Sequence, residues 1–497
     1  MTGEISNQRR KDQLMRSLFL GMSVAACAAM PLITCAEQKT VQSGTTVIVE
    51  SSEVSSWAKA DINIEEGATL VFSEPTQETF TGTIIGSGNF VAKAVSESDI
   101  PKMLTMNGNA SGFTGAFFFS NVFFTVSNPQ SVGSVARMTL YTAYTGDTGS
   151  KSLFLGTASG DDFVYPNDID VRVPAKAGGC SALAVKRGAV LSGNVLHRQG
   201  MLLGPGRITG HIESSSKTLY VGDDLHIEGA VTFTDSGAKL TNYAMANDDL
   251  WGYPKSGSLY LKGCTENLAT FNPIDCYYPV YLEGDNLFGE NVELVVGEDS
   301  SLSGRKSFRL ELNGHSQIFK SAAFVATPVD SLKEIGGIGN AGAPATVSFV
   351  NQTSGKWFLG RLDGHLSVRV SGPKMLGFSV PVNSMDGTIT HAGGGGNIAM
   401  EGAWPNLKKI ESVNGGLVDI RSSATINPKA VIDIDGSSQI KVATGLTLTV
   451  RTLRINGVEL PIGTYHKNSS AVVGYFDSLG NGFVKVTGAP GFKVSIK

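Results

Sequence analysis

A chain of 497 residues is long enough for one large core or for several domains. Only 17% of its residues are charged and 60 of the 497, about 12%, are glycine, against ~25% and ~7% in average proteins. That balance favours a turn-rich β-protein and argues against a helical bundle. The net charge of −4 leaves no basic footprint, and no Lys/Arg stripe is visible along the chain, so nucleic acid is not an expected partner.

The first 36 residues read as a signal peptide. Arg9, Arg10, Lys11 and Arg16 form a positive leader, Leu18 to Ile33 an apolar stretch, and Thr34-Cys35-Ala36 the small residues before a cleavage point. The charged preamble is long, so translation starts at Met1 or at Met15. Pro31 interrupts the apolar run, which is short for a permanent span, so no transmembrane segment is expected in the mature chain. Leu32-Ile33-Thr34-Cys35 offers a competing reading as a lipoprotein box with Cys35 lipidated. On either reading the chain is exported. The expected address is extracellular or the outer cell surface, with a periplasmic or lipid-anchored chain as the alternative.

Short β-prone runs follow. Thr45 to Val49 precedes Ile62 to Phe72, which is broken at the Glu66-Gly67 corner. Gly86-Ser87-Gly88-Asn89-Phe90-Val91 leads through Leu104 to Asn109 into Phe113 to Val126, with Gly and Asn at the turns. A weaker echo of this unit begins at Gly204-Pro205-Gly206 and runs through Leu225 to Phe233. Self-similar short strands without helices between them predict coils of a solenoid, because one coil alone cannot bury its apolar side. Phe117, Phe118, Phe119, Phe123 and Phe124 read as core residues, with Phe118 assigned to the opposite side.

The texture changes over 243–281. Asp248, Asp249, Trp251, Tyr253, Tyr260, Tyr277, Tyr278 and Tyr281 surround Cys264 and Cys276, which reads as an excursion from the wall stapled by a Cys264–Cys276 disulfide. Alternation resumes beyond it and is most regular in Leu417–Ile420, Val431–Ile434, Ile440–Val442 and Leu446–Val450. The expected fold is all-β: a right-handed parallel β-helix, one elongated domain with an irregular excursion. Its parts are a leader (1–36), an N-terminal solenoid part (37–242), the excursion (243–281) and a C-terminal solenoid part (282–497). At ~20–25 residues per coil and ~4.8 Å per strand, the rod would be on the order of 90–110 Å long.

The tail Leu453 to Tyr465 followed by Gly480 to Val486 resembles the end of bacterial surface proteins with autotransporter-associated β-strand repeats. The Gly86–Val126 unit resembles a degenerate copy of that repeat. The resemblance implies an exported parallel β-helix of the passenger type and carries no catalytic residues. It departs from the family after Val486, where Phe492 to Lys497 is too short for a membrane barrel of ~8 or more strands, so another exporter or a lipid is expected.

No set of residues announces a reaction. Asp433 with Asp435, Asp161-Asp162 and Asp223-Asp224 are acid pairs of the kind polysaccharide-cutting β-helices use, yet none is joined by a convergent Arg, Lys or His. The 7 histidines are dispersed without ligand spacing, and Cys-x-x-Cys is absent, so neither a metal nor a cofactor is implied. Trp251, Tyr253, Asp248 and Asp249 are the ligand candidates, since aromatic rings beside carboxylates suit sugars. The expectation is a non-enzymatic structural or adhesive surface protein, with a surface glycan as candidate partner. The alternative is a polysaccharide-binding or polysaccharide-degrading β-helix.

Overall fold

A computed structural model describes residues 36–94, 102–133, 137–141, 152–156, 160, 162–172, 182–222, 224–242, 258–272, 279–296, 309–324, 337–352, 355–358 and 360–488. Within them the chain winds as a parallel β-helix with three faces. The first full coil has Asp61–Ile64 on the first face, Thr69–Ser73 on the second and Glu78–Phe80 on the third. Each strand then pairs with the strand one coil later, in parallel and in register: Thr69 on Asn89, Ala116 on Arg137, Arg137 on Asp168. The same rule holds near the other end, where Thr388, Lys409, Val431 and Thr452 stack in turn.

Alternation sorts the side chains. Along Asn89–Lys93, Phe90 and Ala92 are buried while Asn89, Val91 and Lys93 are only half-buried. A period of two on a strand gives that split, and stacking repeats it coil after coil. Phe72, Phe90 and Phe117 pack edge to face at 5.1 and 5.3 Å, and Phe119 stacks on Phe124 at 3.7 Å. Phe271, Phe288, Phe319 and Phe349 continue an inner stack farther along. Burying each ring contributes roughly 2–3 kcal/mol, so the interior holds the stack together without help from any one coil. Phe118 does face outward, half-buried. Phe123, expected in the core, instead joins Phe154, Ala182, Ala184, Met201 and Leu203 in a second apolar cluster. The reason is register: Phe124 pairs with inward Leu153, so its neighbour must point the other way.

Between the first and second faces the chain turns so tightly that successive backbones touch. A Cβ on Gly210 would lie 1.9 Å from the Gly193 carbonyl oxygen, one on Gly229 2.0 Å from that of Gly210, and one on Gly263 1.7 Å from that of Gly229. Gly115 stands in the same relation to Gly88. No side chain fits at such distances, so this corner carries a column of glycines.

The corner changes character where Gly337–Phe349 and Arg361–Val370 run straight through it. Arg309–Glu311 and Gln317–Phe319 pair with the two halves of Gly337–Phe349. A register shift between Asn340 and Ala345 absorbs the bend. Buried Asn340 satisfies the irregular backbone there: its Nδ2 donates to Ala343 O at 2.7 Å and His365 O at 2.6 Å, and its Oδ1 accepts from Gly314 N at 2.7 Å.

Four features differ from the sequence reading. Ser51–Trp57 is a short helix standing where the third-face strand of the first coil would be. Within 243–281, residues 258–272 make a complete coil of the wall, through Leu259–Leu261, Thr265–Glu266 and Thr270–Asn272. The tail is only in part a further coil: Phe483–Val486 adds in parallel to Thr447–Val450, but Val458–Glu459 turns back antiparallel on Thr452–Ile455, and Gly463–Tyr465 lies antiparallel to Phe483–Val486. Finally, the described residues make roughly eighteen coils, which at ~4.8 Å each is a rod on the order of 80 Å. It is shorter than the composition suggested because some coils use far more chain, as between Val231 and its partner Thr265.

Candidate functional site

The four ligand candidates Asp248, Asp249, Trp251 and Tyr253 lie outside the described residues, as do Cys35 and Cys276. Cys264 is described and exposed, with a free thiol. Of the expected acid pairs, Asp161 and Asp223 are also outside. Asp433 points outward and is neutralised by Lys409, whose Nζ lies 2.8 Å from Asp433 Oδ2 and 2.6 Å from Glu411 Oε1. Burial pulls the Lys409 ammonium down, but its hydrogen bonds to Asp433 and Glu411 outweigh that and hold it above its ordinary value. Asp435 lies beyond the end of that strand, exposed. The two carboxylates therefore do not form a pair.

Other outward ionic groups also satisfy one another. Asp170 is fully buried between Arg172 and Arg198, accepting from Arg172 Nε at 2.8 Å and from Arg198 Nε at 3.2 Å. Asp419 pairs with Arg421 at 2.9 Å and Lys441 at 3.4 Å. Among the described residues no three His, Cys, Asp or Glu side chains converge as a metal site would require. His197 is buried inside the coil, bonded to Ser214 Oγ at 3.0 Å and Gly200 O at 3.1 Å. Burial lowers its pKa to about 4, and burial does the same to His391. Both are neutral structural residues at pH 7.

The aromatic groups that come together are on the wall itself. Register brings Arg207, His226, Tyr260, Tyr281 and Glu311 into one outward row on the first face. His226 and Tyr260 are parallel within 2° with centroids 4.0 Å apart, and Tyr260 and Tyr281 within 12° at 4.9 Å. Coplanar rings side by side cannot approach so closely, so these rings are stacked face on face. Their faces are used up within the row, and what they offer outside is ring edges and two phenol hydroxyls. Carboxylates flank the row. Glu228 holds Arg207 Nε at 2.6 Å, and Glu283 lies 4.0 Å from His226 Nδ1. Burial pushes the Asp224 carboxyl up against opposing hydrogen bonds from Ser258, and burial together with Asp224 pushes the Tyr260 phenol up. Such a row can hydrogen-bond a polyol through hydroxyls and carboxylates. It has no free ring face on which a sugar could lie between the rings.

Tyr260 and Tyr281 were visible in the sequence as part of an aromatic cluster, whereas their alignment with His226 was not. The three are separated by unequal lengths of chain, and only the strand pairing lines them up. No family model, curated protein or solved structure matches the chain.

Proposed function

We propose that this chain is an exported, non-enzymatic β-helix of the bacterial cell surface, serving as a structural or adhesive rod in the manner of proteins with autotransporter-associated repeats. One observation carries the reading. Several outward carboxylates of the described wall are held in local ionic contacts, as Asp433 and Glu411 are around Lys409 and Asp170 between Arg172 and Arg198, rather than converging on a shared point. A reaction centre needs the opposite arrangement, groups held apart from their partners and aimed at a substrate. Export follows from the leader, and the surface address from the repeat resemblance.

A second reading, binding or cleavage of a polysaccharide, is favoured by the His226–Tyr260–Tyr281 row with Glu228, Glu283 and Asp224 beside it. Incubating the purified mature protein with plant, animal and bacterial polysaccharides distinguishes the two. The rod reading expects no new reducing ends. Depletion of protein onto a polymer without new ends identifies an adhesin. Release of ends overturns the non-enzymatic reading and directs attention to Asp224 and Glu283.

A further inference from the structure

Beyond the straightened strands, the corner between the first and second faces opens into a groove of about 730 Å³. It is lined by successive coils, from Gly364 and His365 through Ser384 and Asp386, then Lys408, Lys429 and Arg451. Four coil spacings of ~4.8 Å make it about 19 Å long, parallel to the rod axis.

Its charge is unbalanced. Asp386 is the one carboxylate in the lining, and it is already engaged: Oδ2 lies 3.0 Å from His365 Nδ1 and 3.1 Å from Lys408 Nζ. Those bonds hold the carboxyl below its ordinary value although burial works the other way. Lys429 and Arg451 have no carboxylate within 4 Å among the described residues. Like charges on neighbouring strands repel, whereas the cations Arg172, Arg198, Lys409 and Arg421 of this wall each sit against a carboxylate. Here two successive coils leave a cation open.

The neutral residues of the groove are arranged as hydrogen-bonding pairs. Asn427 Oδ1 accepts from Lys429 N at 3.0 Å, which leaves its amide nitrogen as a donor. Asn406 Nδ2 donates to Ser384 O at 3.2 Å, which leaves its oxygen as an acceptor. Amide donors and acceptors alternating with cations suit a polymer that carries both hydroxyls and anionic groups. The groove has no Phe, Tyr or Trp in its lining, the rings on which a single-stranded nucleic acid would stack its bases.

We propose that this groove binds an acidic polysaccharide laid along the rod axis, with Lys408, Lys429 and Arg451 meeting carboxylate or sulfate groups on successive sugars and Asn406 and Asn427 meeting hydroxyls. The advance of one sugar in an extended polymer is close to the rise of one coil, so one repeat meets one coil. The inference goes beyond the rod reading and does not use the aromatic row.

The full mature chain is titrated with fluorescently labelled oligogalacturonate, sulfated dextran, plain dextran and oligo-dT at low salt, with inorganic phosphate as competitor. Binding of the acidic polymers is expected to weaken steeply as salt is raised, and plain dextran is expected not to bind. The relative strength of oligogalacturonate and sulfated dextran assigns the anion as carboxylate or sulfate. Lys429→Ala with Arg451→Ala is expected to weaken binding at least tenfold with an unchanged thermal melt, and Tyr260→Leu to leave it unchanged. The proposal is overturned if the double variant binds like the parent, if oligo-dT binds as tightly as the acidic glycans, or if equimolar phosphate displaces the polymer.

Discussion

One corner of this molecule is built in two ways. Between Gly193 and Gly263 it is closed by backbone lying on backbone, with Gly210, Gly229 and Gly263 each resting on the carbonyl of the glycine before it. Between Gly364 and Arg451 the same corner is opened by Asn, Lys and Arg side chains into a groove. Topology is identical in both stretches, since each links a first-face strand to a second-face strand. The parallel stack therefore sets where the corner lies, and the residues at it decide whether the corner is filled by main chain or left to meet solvent and ligands.

The largest effect should come from forcing a side chain into the closed stretch. Gly229→Val must displace the Gly210 backbone, and it is expected to cost about 3 kcal/mol or more, seen as a large fall in the urea midpoint or as insoluble protein. A wild-type midpoint would mean that the column relaxes freely and that the contrast between the stretches is false. Next comes the boundary between them. Asn340→Ala removes three side-chain bonds to the backbone from a buried site, and about 2–3 kcal/mol of destabilisation is expected by the same measurement.

Acid tests both stretches at once, through His197 in one and His391 in the other. Their folded pKa values, about 4, lie below the ordinary 6.5. The unfolded chain therefore takes up protons first as pH falls. The stability contributed by each neutral ring is fully present above pH 6.5 and is lost progressively down to pH 4, by roughly 2–3 kcal/mol per histidine. Urea midpoints at pH 7 and pH 4.5 measure it, and His197→Gln should flatten the slope. An equal slope in that variant would place the acid sensitivity elsewhere. The smallest effect belongs to the open stretch. Lys429→Ala is expected to change stability by no more than about 0.5 kcal/mol, because the side chain is exposed; a larger loss would mean that the groove, too, is structural.

The architecture was legible in the sequence because a parallel coil writes its burial as a period of two. Leu417–Ile420, Val431–Ile434 and the Glu66-Gly67 corner are where the alternation and turn residues put them. What lies across the coils was not. Lys408, Lys429 and Arg451 are 21 and 22 residues apart, and no basic stripe is visible when the chain is read lengthwise. His226, Tyr260 and Tyr281 are spaced less evenly still. Coil length varies with each insertion, so lateral neighbours emerge only after the strand pairs are known. The internal amides were equally hidden. Gln317, which accepts from Leu287 N and donates to Gly284 O, is an ordinary polar residue until the backbone gap it fills is seen. The helix Ser51–Trp57 escaped notice because its seven residues bury only Val54, too little to write a helical period.

The hairpin at Val458–Glu459 bears on how copies of this rod meet. A parallel stack would otherwise finish on a strand with open amides and carbonyls, a template on which the first coil of another copy could add and extend the sheet without limit. By reversing direction, the hairpin presents a short strand of the wrong polarity to any incoming parallel partner. On the face of Thr452–Ile455 the hairpin thus disfavours end-on addition of another copy, and a copy cut back to that strand is expected to associate more readily.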